Sequence, residues 1–172
     1  HTGNPVRPAV QAAARVPFEP PAPGGAFRLL VFGGSQGARI MSEIVPPAVE
    51  KLPPALRARL RITQQCRTED MAAARATYDR LGGSAELAPF FDDLPARMAL
   101  AHLVVARSGA STVAELGVIG RPSVLVPLPG ALDQDQLVNA TALARAGGAL
   151  LMPQAEFTPE AFAAELARLM DD

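Results

Sequence analysis

The sequence predicts an α/β fold: a Rossmann-like, doubly wound parallel sheet of about six strands. Three observations predict it. Apolar runs too short for helices recur between segments of helical composition. Strand and helix alternate along the chain, an order that gives parallel strands joined by right-handed crossovers. Turns rich in glycine or small residues follow several strands, at the ends where open α/β sheets bind ligands.

The bulk properties narrow the classes. A chain of 172 residues suits one domain with its own core. A formal net charge of −1 gives no support for nucleic acid as a partner. A lone cysteine excludes an internal disulfide framework and points to a reducing compartment. No apolar run is long enough to span a bilayer, and no signal peptide is visible. A chain that opens on His1 rather than Met is expected to be a fragment, with a partner domain outside it.

Residues 1–23, rich in Pro and Ala, read as a linker and extended lead-in, because Pro removes donors and disfavours helix. Within them, Arg7 follows the turn Thr2-Gly3-Asn4-Pro5-Val6 and could reach a phosphate, or could be a solvated charge. Residues 24–172 are the expected domain. Phe27–Phe32 reads as the first strand, and Gly33-Gly34-Ser35-Gln36-Gly37-Ala38 as a turn into a helix from about Arg39 to Glu50. That layout suits a phosphate cradle or a tight crossover; it is neither a Walker loop nor G-x-G-x-x-G.

Arg59–Gln64 is the second strand. Thr68 is a plausible cap for a helix that begins with Glu69-Asp70-Met71 and runs to about Leu81, stopped by Gly82-Gly83. Cys66 has no CxxC spacing and no nearby His, so it reads as inert. Ala85–Ala88 is a short strand. Pro89-Phe90-Phe91 is an apolar turn, with Phe90 and Phe91 either core or a base-binding site. Asp92-Asp93 would cap a helix to Ala101.

Leu103–Ala106 is a buried strand, and Ser108-Gly109-Ala110-Ser111 turns it into a helix over Thr112–Ile119, whose first turn Ser or Thr can cap. The start of such a helix is an anion site. Glu115, about one turn in, could accept hydrogen bonds from a sugar diol or merely favour the helix dipole. Pro122–Pro127 is the next strand. The helix opening at Asp133 and ending near Ala146 carries Gln136 and Asn139 three apart on one face, where amides suit sugar hydroxyls or solvent alike. Ala149–Met152 is the last strand. Thr158-Pro159-Glu160 starts a final helix to about Met170.

Five segments in this order resemble the MurG family of glycosyltransferase family 28: Thr2–Arg7, Gly33–Ala38, Pro89-Phe90-Phe91-Asp92-Asp93-Leu94, Arg107–Glu115 and Gln136–Ala140. The likeness covers nearly the whole chain, as the carboxyl-terminal donor-binding half of a two-domain GT-B glycosyltransferase. It implies transfer of N-acetylglucosamine (GlcNAc) from its uridine diphosphate (UDP) donor to a polyprenyl-diphosphate muramyl-pentapeptide, the step that makes lipid II for peptidoglycan. It implies that the backbone at Phe91, the position following the Phe of the third segment, reads uracil and that Glu115 holds the ribose hydroxyls. Ser35, with Thr112, would meet the diphosphate, while Ala110, Ser111, Gln136 and Asn139 would meet the sugar and Arg7 would approach the donor from the interdomain junction.

No cofactor and no essential metal are implied. The base, the lipid acceptor site and membrane contact would belong to an amino-terminal domain outside this chain, which places the whole enzyme peripherally on the cytoplasmic face of the bacterial inner membrane. This chain departs from the family at Gln64-Gln65-Cys66-Arg67, where His-Gln-x-Gly is common, and at Asp135, where His or Gln precedes the site Gln. The rival readings are a related GT-B transferase with another acceptor, a UDP-sugar epimerase, and a non-catalytic nucleotide-binding module. An epimerase needs acid/base carboxylates and histidines in the cleft, and the histidines are only His1 and His102.

Overall fold

The computed structural model describes residues 6–34, 39–130 and 135–171. Six strands form one parallel sheet: β1 (Phe27–Phe32), β2 (Leu60–Gln65), β3 (Ser84–Ala88), β4 (Leu103–Ala106), β5 (Ser123–Leu125) and β6 (Ala149–Leu151). Their spatial order is β3-β2-β1-β4-β5-β6. The chain builds outward from β1 in one direction, then returns to the other side of β1 at β4. That reversal opens a crevice at the carboxyl ends of β1 and β4, where neighbouring crossovers diverge.

The helices are α1 (Pro8–Ala13), α2 (Arg39–Lys51), α3 (Pro54–Arg59), α4 (Met71–Arg80), α5 (Leu94–Leu100), α6 (Ala110–Ile119), α7 (Asp135–Arg145) and α8 (Pro159–Asp171). Alternation of side chains along β1 explains the two layers. Phe27, Leu29 and Val31 join the core under α2, α4 and α8, while Leu30 and Phe32 join the core under α1, α5, α6 and α7. All four residues of β4 are buried, as expected of a central parallel strand covered on both faces.

The alternation of elements is as the sequence predicts, and several local readings are corrected. The lead-in is not extended: Pro8 occupies the first helical position of α1, where its missing N–H costs nothing, and Val10 and Ala13, three apart, are buried. The segment after α1 is also docked. The buried Arg121 guanidinium donates to the carbonyls of Val16, Ala99 and Ile119 and lies over the Phe18 ring.

The same proline physics makes α3, which the sequence reading passed over. Thr68 caps nothing, because α4 starts later, after Asp70. Asp93 occupies the cap position of α5, but its carboxylate takes an Arg97 donor instead of a backbone N–H. Helix α6 begins at Ala110 rather than Thr112, after Gly109, with no side-chain cap. The Thr158 cap of α8 does form, its hydroxyl accepting from the Ala161 N–H.

Candidate functional site

The crevice at the carboxyl ends of β1 to β4 encloses about 370 Å³. Each wall follows from the topology. Phe32 ends β1 and Gly34 opens the turn beyond it; Gln65 ends β2; Phe90, Phe91 and Asp92 follow β3; Ser111, Thr112 and Glu115 come from the start of α6; Val6 and Arg7 close the mouth. Gly34 has φ of +90°, a conformation that branched side chains resist, so the sharp exit from β1 requires glycine there.

Glu115 is the charged residue at the back of this space. Its residue exposure is 8 %, and both Nε and Nη2 of Arg7 donate to its Oε1, at 3.1 and 2.8 Å. The Arg7 side chain itself is 61 % exposed. The pair therefore joins a buried carboxylate to a mostly solvated cation, a contact of small net strength that a ligand can open. Glu115 lies in the second turn of α6, deeper than the sequence reading placed it. The free N–H groups of the first turn, with Ser111 and Thr112, stand at the mouth.

Arg97 braces the wall beyond β3. It donates to Glu86 and Asp93, at 2.6 Å each, and its guanidinium stacks 4.3 Å from the Phe91 ring centroid. Glu86 foremost, with Asp93, raises the Arg97 pKa further. Phe91 is buried while Phe90 is 65 % exposed, so the paired aromatics divide into an anchor and a free ring.

Of the residues singled out in the sequence, Arg7, Phe91, Ser111, Thr112 and Glu115 meet in this crevice. Ala110 is exposed at the tip of α6 and does not line it. Ser35, with Gln36, Gly37 and Ala38, lies outside the described residues, as does the Thr2–Pro5 turn. Gln136 and Asn139 do not line the crevice; they tie the next loops together. Gln136 Oε1 accepts from the Leu128 N–H, Asn139 Nδ2 donates to the Ser108 carbonyl, and the Ser108 hydroxyl donates to the Gln136 carbonyl. Ser108 is thus a buried tether between the β4 turn and α7 rather than a cap. Arg107 is another tether, donating to the Val126 and Pro127 carbonyls and to Gln154.

His102 lies at the opposite end of the sheet, before β4. Its Nδ1 accepts from the Arg28 N–H, and burial, with a smaller push from Arg28, lowers its pKa. It is a neutral structural acceptor, remote from the crevice. Cys66 is buried against the Ser42 hydroxyl, and burial pushes its thiol up, which keeps it inert. Among the described residues, no group of three or more His, Cys, Asp or Glu could hold a metal ion. No helix among them is long and apolar enough to cross a membrane.

The sequence reading missed Gln65. It treated Gln64-Gln65 only as a departure from a familiar pattern, and in a strand that also carries Arg61, Thr63 and Gln64 nothing singles this amide out. Gln65 is 6 % exposed and lines the crevice.

Residues 28–172 match the family described as Glycosyltransferase family 28 C-terminal domain. A UDP-N-acetylglucosamine--N-acetylmuramyl-(pentapeptide) pyrophosphoryl-undecaprenol N-acetylglucosamine transferase of Rhodopseudomonas palustris is 64 % identical over 172 residues, covering 100 % of this chain and 47 % of that protein. The protein of the same name from Methylobacterium nodulans is 66 % identical over 170 residues, 98 % of this chain and 46 % of its own length. The chain thus spans about half the length of the curated relatives it matches. The crystal structure of Acinetobacter baumannii MurG superposes with a TM-score of 0.78 at 33 % identity, over 90 % of this chain and 45 % of that one.

Proposed function

The chain belongs to glycosyltransferase family 28, as its C-terminal domain, and on that premise we propose that it is the donor-binding half of an inverting transferase. The donor is UDP-GlcNAc and the acceptor is a polyprenyl-diphosphate muramyl-pentapeptide. Residues 24–172 form the donor domain, and residues 1–23 lead into it from the acceptor half.

The observation that carries the reading is Glu115: a carboxylate buried in the switch-point crevice whose partner among the described residues is the exposed, displaceable Arg7. A carboxylate in such a place suits a ribose diol, which brings two neighbouring O–H donors. The free N–H groups at the start of α6, with Thr112 and the turn containing Ser35, suit the diphosphate. The fixed backbone at Phe91 suits the uracil edge. Ala110 and Ser111 lie beside the expected sugar. Gln136 and Asn139 would reach it only by giving up tethers they make in this structure.

In the transfer step the acceptor hydroxyl oxygen forms a bond to the anomeric carbon as the bond from that carbon to the diphosphate oxygen breaks. UDP departs with the electron pair, and the hydroxyl proton goes to a base in the acceptor half. This chain's contribution is to hold the donor and to stabilise the charge that develops on the diphosphate with oriented N–H groups. Membrane contact on the cytoplasmic face of the inner membrane would also belong to the acceptor half. The reading favours a transferase over an epimerase because His102 is remote from the crevice and committed to the Arg28 N–H.

Calorimetric titration with UDP tests it. Hydrogen bonds to a charged group contribute roughly 1.5–3 kcal/mol, so Glu115→Ala should weaken UDP about tenfold to a hundredfold while the protein stays folded. Unchanged affinity in a folded variant would remove the assignment.

A further inference from the structure

Gln65 stands between the two loops that the proposed function assigns to the base and to the phosphates. Strand β2 lies between β1 and β3 in the sheet. Where the strands end, the backbone ladder ends with them: the last register pairs are Val31 with Gln64 and Gln65 with Ala88. Beyond that point the Gly33 N–H and the Pro89 carbonyl have no strand partner. The Gln65 side chain supplies both. Its Oε1 accepts from the Gly33 N–H at 3.2 Å, and its Nε2 donates to the Pro89 carbonyl at 3.1 Å.

A primary amide is suited to this bridge, because it carries a donor and an acceptor on one planar group and no charge. The neighbouring Gln64 faces the other side of β2, where it accepts from the Tyr78 hydroxyl, so it takes no part.

The bridge has a geometric consequence. Gly33 opens the turn proposed to meet the diphosphate, and Pro89 opens the Phe90-Phe91 turn proposed to read the base. The far side of that second turn is already fixed by Arg97 over Phe91. With Gln65 in place, the separation of Gly33 from Pro89 is set before a nucleotide arrives. Resting on the function proposed above, we propose that Gln65 is a positioning residue that spaces the base-reading and phosphate-binding turns so that one uridine diphosphate engages both. A ligand that spans two sites benefits from their correct spacing, whereas a ligand that occupies one of them does not.

The experiment compares UDP with uridine on the wild-type chain, Gln65→Met, Gln65→Glu and Glu115→Ala, by calorimetry at pH 8. Gln65→Met should weaken UDP about tenfold yet leave uridine within about threefold of the wild type. Gln65→Glu keeps the length and the acceptor; ionised at pH 8, its carboxylate faces the Pro89 carbonyl and has no proton to donate, so it should behave like Gln65→Met.

Equal losses for UDP and uridine, in step with a fall in melting temperature, would make Gln65 a merely structural residue and overturn the proposal. So would wild-type UDP affinity in Gln65→Met. A wild-type chain that ignores UDP, or a Glu115→Ala variant that binds it normally, would instead overturn the functional reading on which the proposal rests.

Discussion

At the amino ends of the strands lies a cavity of about 600 Å³, lined by Phe18, Phe27, Arg59, His102, Pro122 and Met170 among others; at the carboxyl ends the crevice is about 370 Å³. Volume alone favours the first, and polar chemistry favours the second. At the amino ends His102 is committed to the Arg28 N–H and Arg59 to the carbonyls of Gly25 and Met170, with the exposed Asp171 carboxylate 3.8 Å from Arg59. Nearby, Arg121 takes the carbonyls of Val16, Ala99 and Ile119. At the carboxyl ends the buried carboxylate of Glu115 meets a guanidinium that is mostly in water. Fully occupied polar groups hold a fold together; a buried group with a removable partner leaves something for a ligand to do.

The largest expected effect falls at the occupied end. Arg121→Met keeps most of the side-chain bulk but strands several buried carbonyls, at roughly 1–3 kcal/mol each when fully desolvated. A total loss of about 3 kcal/mol is expected in urea unfolding, with UDP affinity of the folded protein unchanged. If UDP affinity fell and stability did not, the contrast between the two ends would be wrong.

That contrast was partly legible in the sequence. Helix α8 was legible because Thr158, Pro159 and Glu160 each favour a start at the same place. Helices α1 and α3 were not, since their only start signal is a proline at the first helical position, inside runs where proline more often means extended chain. Glu115 was legible as the odd carboxylate in a small-residue turn, but its pairing with Arg7, separated by 108 positions, is a tertiary fact. Gln136 and Asn139 were correctly placed on one helix, yet their spacing could not say that their amides hold Leu128 and Ser108. Gln65 was hidden because its role exists only where three strands end side by side.

A smaller effect, of opposite sign for two ligands, tests the removable partner. Arg7→Ala frees the Glu115 carboxylate for a diol and removes a cation near the diphosphate. Uridine should bind about threefold tighter and UDP about threefold weaker, within the range of an exposed ion pair. Parallel changes for both ligands, measured in one titration series, would mean that Arg7 and Glu115 do not compete.

The smallest effect is at His102. Its folded-state pKa lies below the ordinary value of about 6.5, so the unfolded chain takes up a proton that the folded chain resists. Its contribution to stability is full above about pH 6.5 and is lost as pH falls toward the folded-state value. His102→Asn keeps an acceptor for the Arg28 N–H without titrating, and should flatten that part of the urea-stability profile between pH 8 and 5.5. UDP binding by the variant should match wild type at every pH.

The most direct measurement is a nuclear magnetic resonance titration of the isotope-labelled 172-residue chain with UDP-GlcNAc, read at backbone amides. Donor binding at the carboxyl ends of the strands predicts that Gly34, Phe91, Asp92, Thr112 and Glu115 shift with one common affinity, while His102, Arg59 and Phe18 stay still. Shifts gathered instead around the larger cavity at the amino ends, or none at millimolar donor, would contradict it.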